Sequence, residues 1–235
     1  KYNLLSELKP AIEAAGKIAL KAKNEANKKV LIAGALPNQG NTYSPIQFET
    51  DDTIYKNFLE VAQILNDYVD IFYLDVLCSI KEIELALEAT KNFNKKVLVG
   101  AHLRFDANLP SGETIDDLIE LVKKYNCCGI IAACVSPEIV ELSIPKLNKQ
   151  KLHFGFKVNL FRELPTSTKD NFHNKGFDGD AVYEDPADLL GTRKDEFLDK
   201  KFKSFILNTL NEGTTLIGGC CEVKPRHINL LRDIF

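Results

Sequence analysis

The chain has 235 residues, net charge −3 and an apolar fraction of 45%, enough for one α/β domain with a sizeable core. The mild acidity gives no reason to expect a nucleic-acid partner or an anionic membrane surface. No apolar run reaches the length of a membrane span, and six cysteines with two adjacent pairs, Cys127-Cys128 and Cys220-Cys221, suit a reducing cytoplasm better than a disulfide framework.

In chain order, residues from about Leu4 to Asn27 place Leu5, Leu8, Ile12, Ala15, Ile18 and Ala19 on one helical face. Lys29 to Leu36 reads as a strand centred on Val30-Leu31-Ile32-Ala33, and the polar stretch from Asn38 to Thr50 as a loop. Asp51 or Asp52 is expected to cap a helix running to about Tyr68. The strand Ile71-Phe72-Tyr73-Leu74 ends on Asp75, and Ser79 caps the helix after it, to about Asn92. Lys96 to Leu103 forms a further strand, followed by a helix from about Ile115 to Tyr125. Gly129 to Cys134 is a strand that leads through Ser136-Pro137-Glu138 into a helix to about Leu147. Lys151 to Val158 is a strand. The polar region from Phe161 to about Thr192 is long for a plain connection and reads as a lid or binding loop. A helix from about Lys194 to Leu210 precedes the strand Thr214-Thr215-Leu216-Ile217, and Pro225 opens a last helix to about Ile234.

Strict alternation of six strands and seven helices argues for a parallel sheet with helical crossovers. No Gly-x-Gly-x-x-Gly fingerprint supports a dinucleotide fold. The expectation is a single α/β domain over residues 1–235, a (β/α)8 TIM barrel that lacks the first strand, helix and strand. Chemistry then sits at the C-terminal strand ends, where Asp75, Cys134, Cys220 and Cys221 fall. Adjacent thiols after Gly218-Gly219 can both turn toward one metal ion if the chain bends, and thiolates suit zinc. A third ligand must come from elsewhere, and Cys134, at the end of another strand, is the best candidate. Asp75 and Asn159 are candidate substrate-binding residues. Cys78, Cys127, Cys128 and His227 read as structural, and His102, at the end of its strand, faces either the mouth or the core.

Leu216 to Cys221 with Pro225 and His227 resembles the C-terminal signature of zinc-dependent homocysteine S-methyltransferases (the betaine- and S-methylmethionine-using type). Gly129 to Glu138 resembles their upstream cysteine motif, and Cys220 lies 86 residues after Cys134, a separation that suits the family. Leu74-Asp75 with Ile83-Glu84 and Ala86-Leu87 resembles the family's strand-four element, and Leu109 to Thr114 its next loop. The resemblance implies a barrel that binds zinc through Cys134, Cys220 and Cys221. It implies a methyl group passing from an onium donor, S-methylmethionine or betaine, to the thiol of homocysteine, with methionine as product. A selenol acceptor and a homo-oligomer stay open. Ala133 stands where the family usually has Asn, Glu222-Val223-Lys224 where it has Gly-Thr-Thr, and Asp75 where it has Glu. Those departures motivate the alternative of a diverged zinc-binding barrel with a sensor or structural role. A metal-free enzyme with a cysteine nucleophile is the third reading.

Overall fold

The computed structural model describes residues 5–40, 43–45, 47–148, 152–161, 199–232 and 234. Its elements run α1 (Leu5–Glu25), β1 (Ala33–Pro37), α2 (Asp51–Leu65), β2 (Ile71–Leu77), α3 (Ile80–Thr90), β3 (Lys96–Ala101) and α4 (Ile115–Lys124). They continue with β4 (Gly129–Val135), α5 (Pro137–Leu147), β5 (His153–Val158), α6 (Asp199–Asn211), β6 (Leu216–Gly219) and α7 (Pro225–Leu231). All six strands pair in parallel in chain order, β1 through β6. With a helix between successive strands, this is a partial TIM barrel in which, among the described residues, β1 and β6 are the two edge strands. The expected lid segment falls almost wholly outside the described residues.

Period-two alternation sorts the side chains of each strand. In β2, Phe72 and Leu74 are buried against the helices, and Tyr73 and Asp75 face the other way, into the barrel. In β5, Phe154, Phe156 and Val158 join the helix-facing core, while Gly155 and Lys157 point inward. Gly100 on β3 leaves the room Tyr73 needs, since a Cβ there would stand 2.5 Å from the tyrosine hydroxyl. The helix-facing layer holds the main apolar core, with Phe58, Phe72, Leu77, Ile83, Phe156 and Phe202 fully buried.

The first strand and the cap of α2 differ from expectation. The first strand occupies Ala33–Pro37, and Val30 and Leu31 are exposed. Its neighbour sets that limit. β2 begins at Ile71 opposite Ala33, and Asp70 accepts the Ile32 N–H at 2.6 Å, so residues before Ile32 have no strand beside them. The cap of α2 is Thr50, whose hydroxyl accepts from the Thr53 N–H; Asp51 and Asp52 sit in the first turn, where the helix dipole favours them. Ser79 caps α3 as its position implied.

Candidate metal centre

The strand ends carry the site. β4 runs through its own bulge: Cys134 has φ +53, and the pairing with β5 shifts register between Ala133 and Val135. A left-handed residue at a strand end re-aims its side chain, and here it turns the Cys134 thiol toward the other two. β6 ends at Gly219, where a Cβ would stand 2.3 Å from Val223. The chain can therefore fold back in a tight turn from Cys220 to Val223, closed by the Val223 N–H on the Cys220 carbonyl at 3.1 Å. Glu222 takes the left-handed position of that turn, φ +64. The end of β5 clamps the turn from the side: Cys220 N–H donates to the Val158 carbonyl at 2.7 Å, and Leu160 N–H to the Cys221 carbonyl at 3.0 Å.

These constraints bring Cys134, Cys220 and Cys221 together, every sulfur within 4.8 Å of the others. Cys220 Sγ lies 2.9 Å from Cys134 Sγ, and Cys134 Sγ lies 3.7 Å from Cys221 Sγ. All three are free thiols. Hydrogen bonds from Cys134 and Cys220 lower the Cys221 thiol below the usual thiol range. Its partner Cys134 is held well above the usual thiol range, first by its hydrogen bonds to Cys220 and Cys221 and then by burial. Three close sulfurs that cannot all ionise alone form a donor set for a thiophilic cation, which would remove the mutual repulsion. The residues therefore fit a metal ion through Cys134, Cys220 and Cys221.

The surroundings are specific. Tyr43 is buried with its hydroxyl 3.0 Å from Cys134 Sγ, and its ring lies 4.5 Å from the His102 ring centroid. His102 is buried, and its Nδ1 lies 3.2 Å from the Ala133 carbonyl; a carbonyl only accepts, so Nδ1 carries the proton. Asn159 is also buried; its Nδ2 donates to the Cys134 carbonyl at 2.7 Å and its Oδ1 accepts from the Phe161 N–H. The amide expected to meet substrate thus braces the Cys134 strand end. Asp75 lies inside the barrel as expected, and Lys157 donates to it at 2.5 Å. His227 is buried and caps α7, accepting the Lys224 N–H on Nδ1 at 2.8 Å. Cys78 is fully buried, and burial raises its thiol. Cys127 and Cys128 sit at the far end of β4, away from the trio. Tyr43 and Lys157 carry no motif that marks them in sequence, and neither does the left-handed backbone at Cys134.

Fold and site define a parallel α/β half-barrel with a cluster of three thiols at its C-terminal rim that could hold a metal ion. The family model described as homocysteine S-methyltransferase matches residues 1–235, and the chain belongs to that family. A stretch of 132 residues is 29% identical to homocysteine S-methyltransferase 1 of Arabidopsis thaliana, covering 53% of this chain and 33% of that one. The matched stretch thus spans about a third of that relative's length. The apo form of the homocysteine methyltransferase MmuM from Escherichia coli superposes with a TM-score of 0.69 at 16% identity, over 97% of this chain and 74% of that one. The metallated form of the same enzyme gives 0.68 at 16% identity, over 97% and 71%. At that identity the likeness establishes the shared barrel fold.

Proposed function

We propose that the chain performs zinc-dependent transfer of a methyl group from an onium donor to the thiol of homocysteine, giving methionine. The observation that carries this is the convergence of Cys134 with Cys220 and Cys221, from two strand ends, at the rim where barrel chemistry sits. Cys134, Cys220 and Cys221 would hold the zinc, which would supply a Lewis acid favouring the thiolate form of the acceptor sulfur at neutral pH. The protein's own groups do the rest. Tyr43 and Asn159 hold Cys134 in place. Asp75, across the barrel, is the proposed partner of the acceptor's ammonium group. The acceptor's thiol proton leaves to solvent. A new S–CH3 bond forms as the donor's bond to that methyl breaks, and the positive onium centre leaves neutral, so no other reactant is needed. Holding donor and acceptor in line is the main demand on the site. A sulfonium such as S-methylmethionine is the first donor to test and betaine the second. Six free cysteines support a reducing, cytoplasmic setting, and among the described residues no helix is long and apolar enough to cross a membrane.

The zinc content of purified protein, wild type against Cys134→Ser, tests the centre. About one zinc per chain is expected in the wild type and a loosened or lost ion in the variant. Methionine formation from homocysteine and S-methylmethionine or betaine should disappear with it. The left-handed Glu222, directly after Cys221, favours one second reading: a diverged zinc-binding barrel. Full zinc occupancy with no transfer from any onium donor would select that reading.

A further inference from the structure

Asp75 and Lys157 come from opposite sides of the half-barrel, on β2 and β5, and meet inside it at 2.5 Å. Each side chain keeps about a quarter of its surface exposed, 24% and 22% respectively, so water reaches the pair and it is not sealed in the core. Lys157 Nζ stands 5.4 Å from the centroid of the Tyr73 ring, which gives the cation a face to rest on. Lys157 and the thiols of Cys220 and Cys134 also act on one another electrostatically.

A carboxylate beside an ammonium matches the two charges of an α-amino acid head in reverse. We infer that Lys157 holds the carboxylate of the thiol acceptor while Asp75 takes its ammonium, so that the ion pair opens to admit a zwitterion. This rests on the thiol-acceptor reading above and adds to it the residue that selects an intact amino acid head. The exchange is charge-neutral: each protein charge trades one opposite partner for another, and no net charge is left desolvated. A thiol with only one of the two head groups leaves one member of the opened pair unmatched. Lys157 is therefore a specificity-determining residue. It discriminates against thiols that carry an amine alone or an acid alone.

The test uses protein loaded with cobalt(II) at the thiol centre, whose absorption changes when a thiolate enters. Homocysteine, γ-mercaptobutyrate (no amine) and mercaptopropylamine (no carboxylate) are titrated against wild type, Lys157→Gln and Asp75→Asn. Cobalt uptake in each variant reports that the three-thiol centre is intact. Wild type should bind homocysteine most tightly. Lys157→Gln should weaken homocysteine by roughly tenfold or more, as expected for loss of a charged hydrogen bond, and should leave mercaptopropylamine unchanged or tighter. Asp75→Asn should weaken mercaptopropylamine and spare γ-mercaptobutyrate. Unchanged or tighter homocysteine binding by Lys157→Gln would overturn the inference, because Lys157 would then only compete for Asp75. Equal binding of all three thiols by wild type would overturn it too, with the acceptor reading intact. Failure of every thiol to perturb cobalt in wild type would remove both.

Discussion

At the scale of single residues, the site is built from side chains held in unfavourable states by their neighbours. His102 is the clearest case. Burial lowers it to about 4 from an ordinary value of 6.5, because the charged ring would lose water and gain no acid partner. Between those values the unfolded chain binds the proton and the folded chain does not. Stability is therefore intact above about pH 6.5 and falls as the pH drops toward 4, by roughly 3 kcal/mol in all. Denaturant unfolding at a series of pH values should show that slope, and His102→Gln should flatten it. Glu222 is a second case. Its φ of +64 costs a non-glycine residue roughly 1 kcal/mol, so Glu222→Gly should raise the unfolding midpoint. Unchanged zinc binding would show that the turn needs its shape and not the carboxylate. A clear drop in stability would mean that the glutamate's own interactions outweigh the strain.

At the scale of elements, one buried carboxylate ties the loop after β1 to the start of α3. Glu82 accepts the Gln39 N–H at 2.8 Å, the Cys78 N–H at 3.2 Å and the Asn38 side-chain amide at 3.2 Å. Burial pushes its carboxyl above the usual carboxylate range, against these hydrogen bonds, which favour the charged form. The same loop carries Tyr43 onto Cys134. Glu82→Ala would leave buried donors unmatched and should cost about 1–3 kcal/mol. Because it frees the Tyr43 loop, it should also weaken metal binding without touching a ligand; a metal titration of the variant checks this. Pairing between elements also explains the shifted first strand. Val30 and Leu31 have the composition of a strand, but a strand needs a neighbour to receive its hydrogen bonds, and β2 starts opposite Ala33.

At the scale of the whole molecule, the thiol centre joins the end of β4 to the turn after β6, with β5 between them. An ion bound there bridges the ends of two strands that are not neighbours in the sheet, so its binding energy becomes folding energy. Chelation should lower the thermal midpoint, excess zinc should restore it, and Cys134→Ser should abolish the difference; calorimetry with and without chelator reads all three. By itself the sequence determined the alternation of strands and helices, the parallel half-barrel and the three cysteines, because period-two and helical patterns, glycine before paired cysteines and strand-end placement are local signals. It also marked Asp75 as a barrel-mouth residue. Only the tertiary structure decided that Lys157 meets Asp75, that Tyr43 reaches Cys134 and that Asn159 braces the strand end. Those contacts join residues 82, 91 and 25 positions apart, and no local pattern encodes which distant side chain a curved sheet brings to the same point.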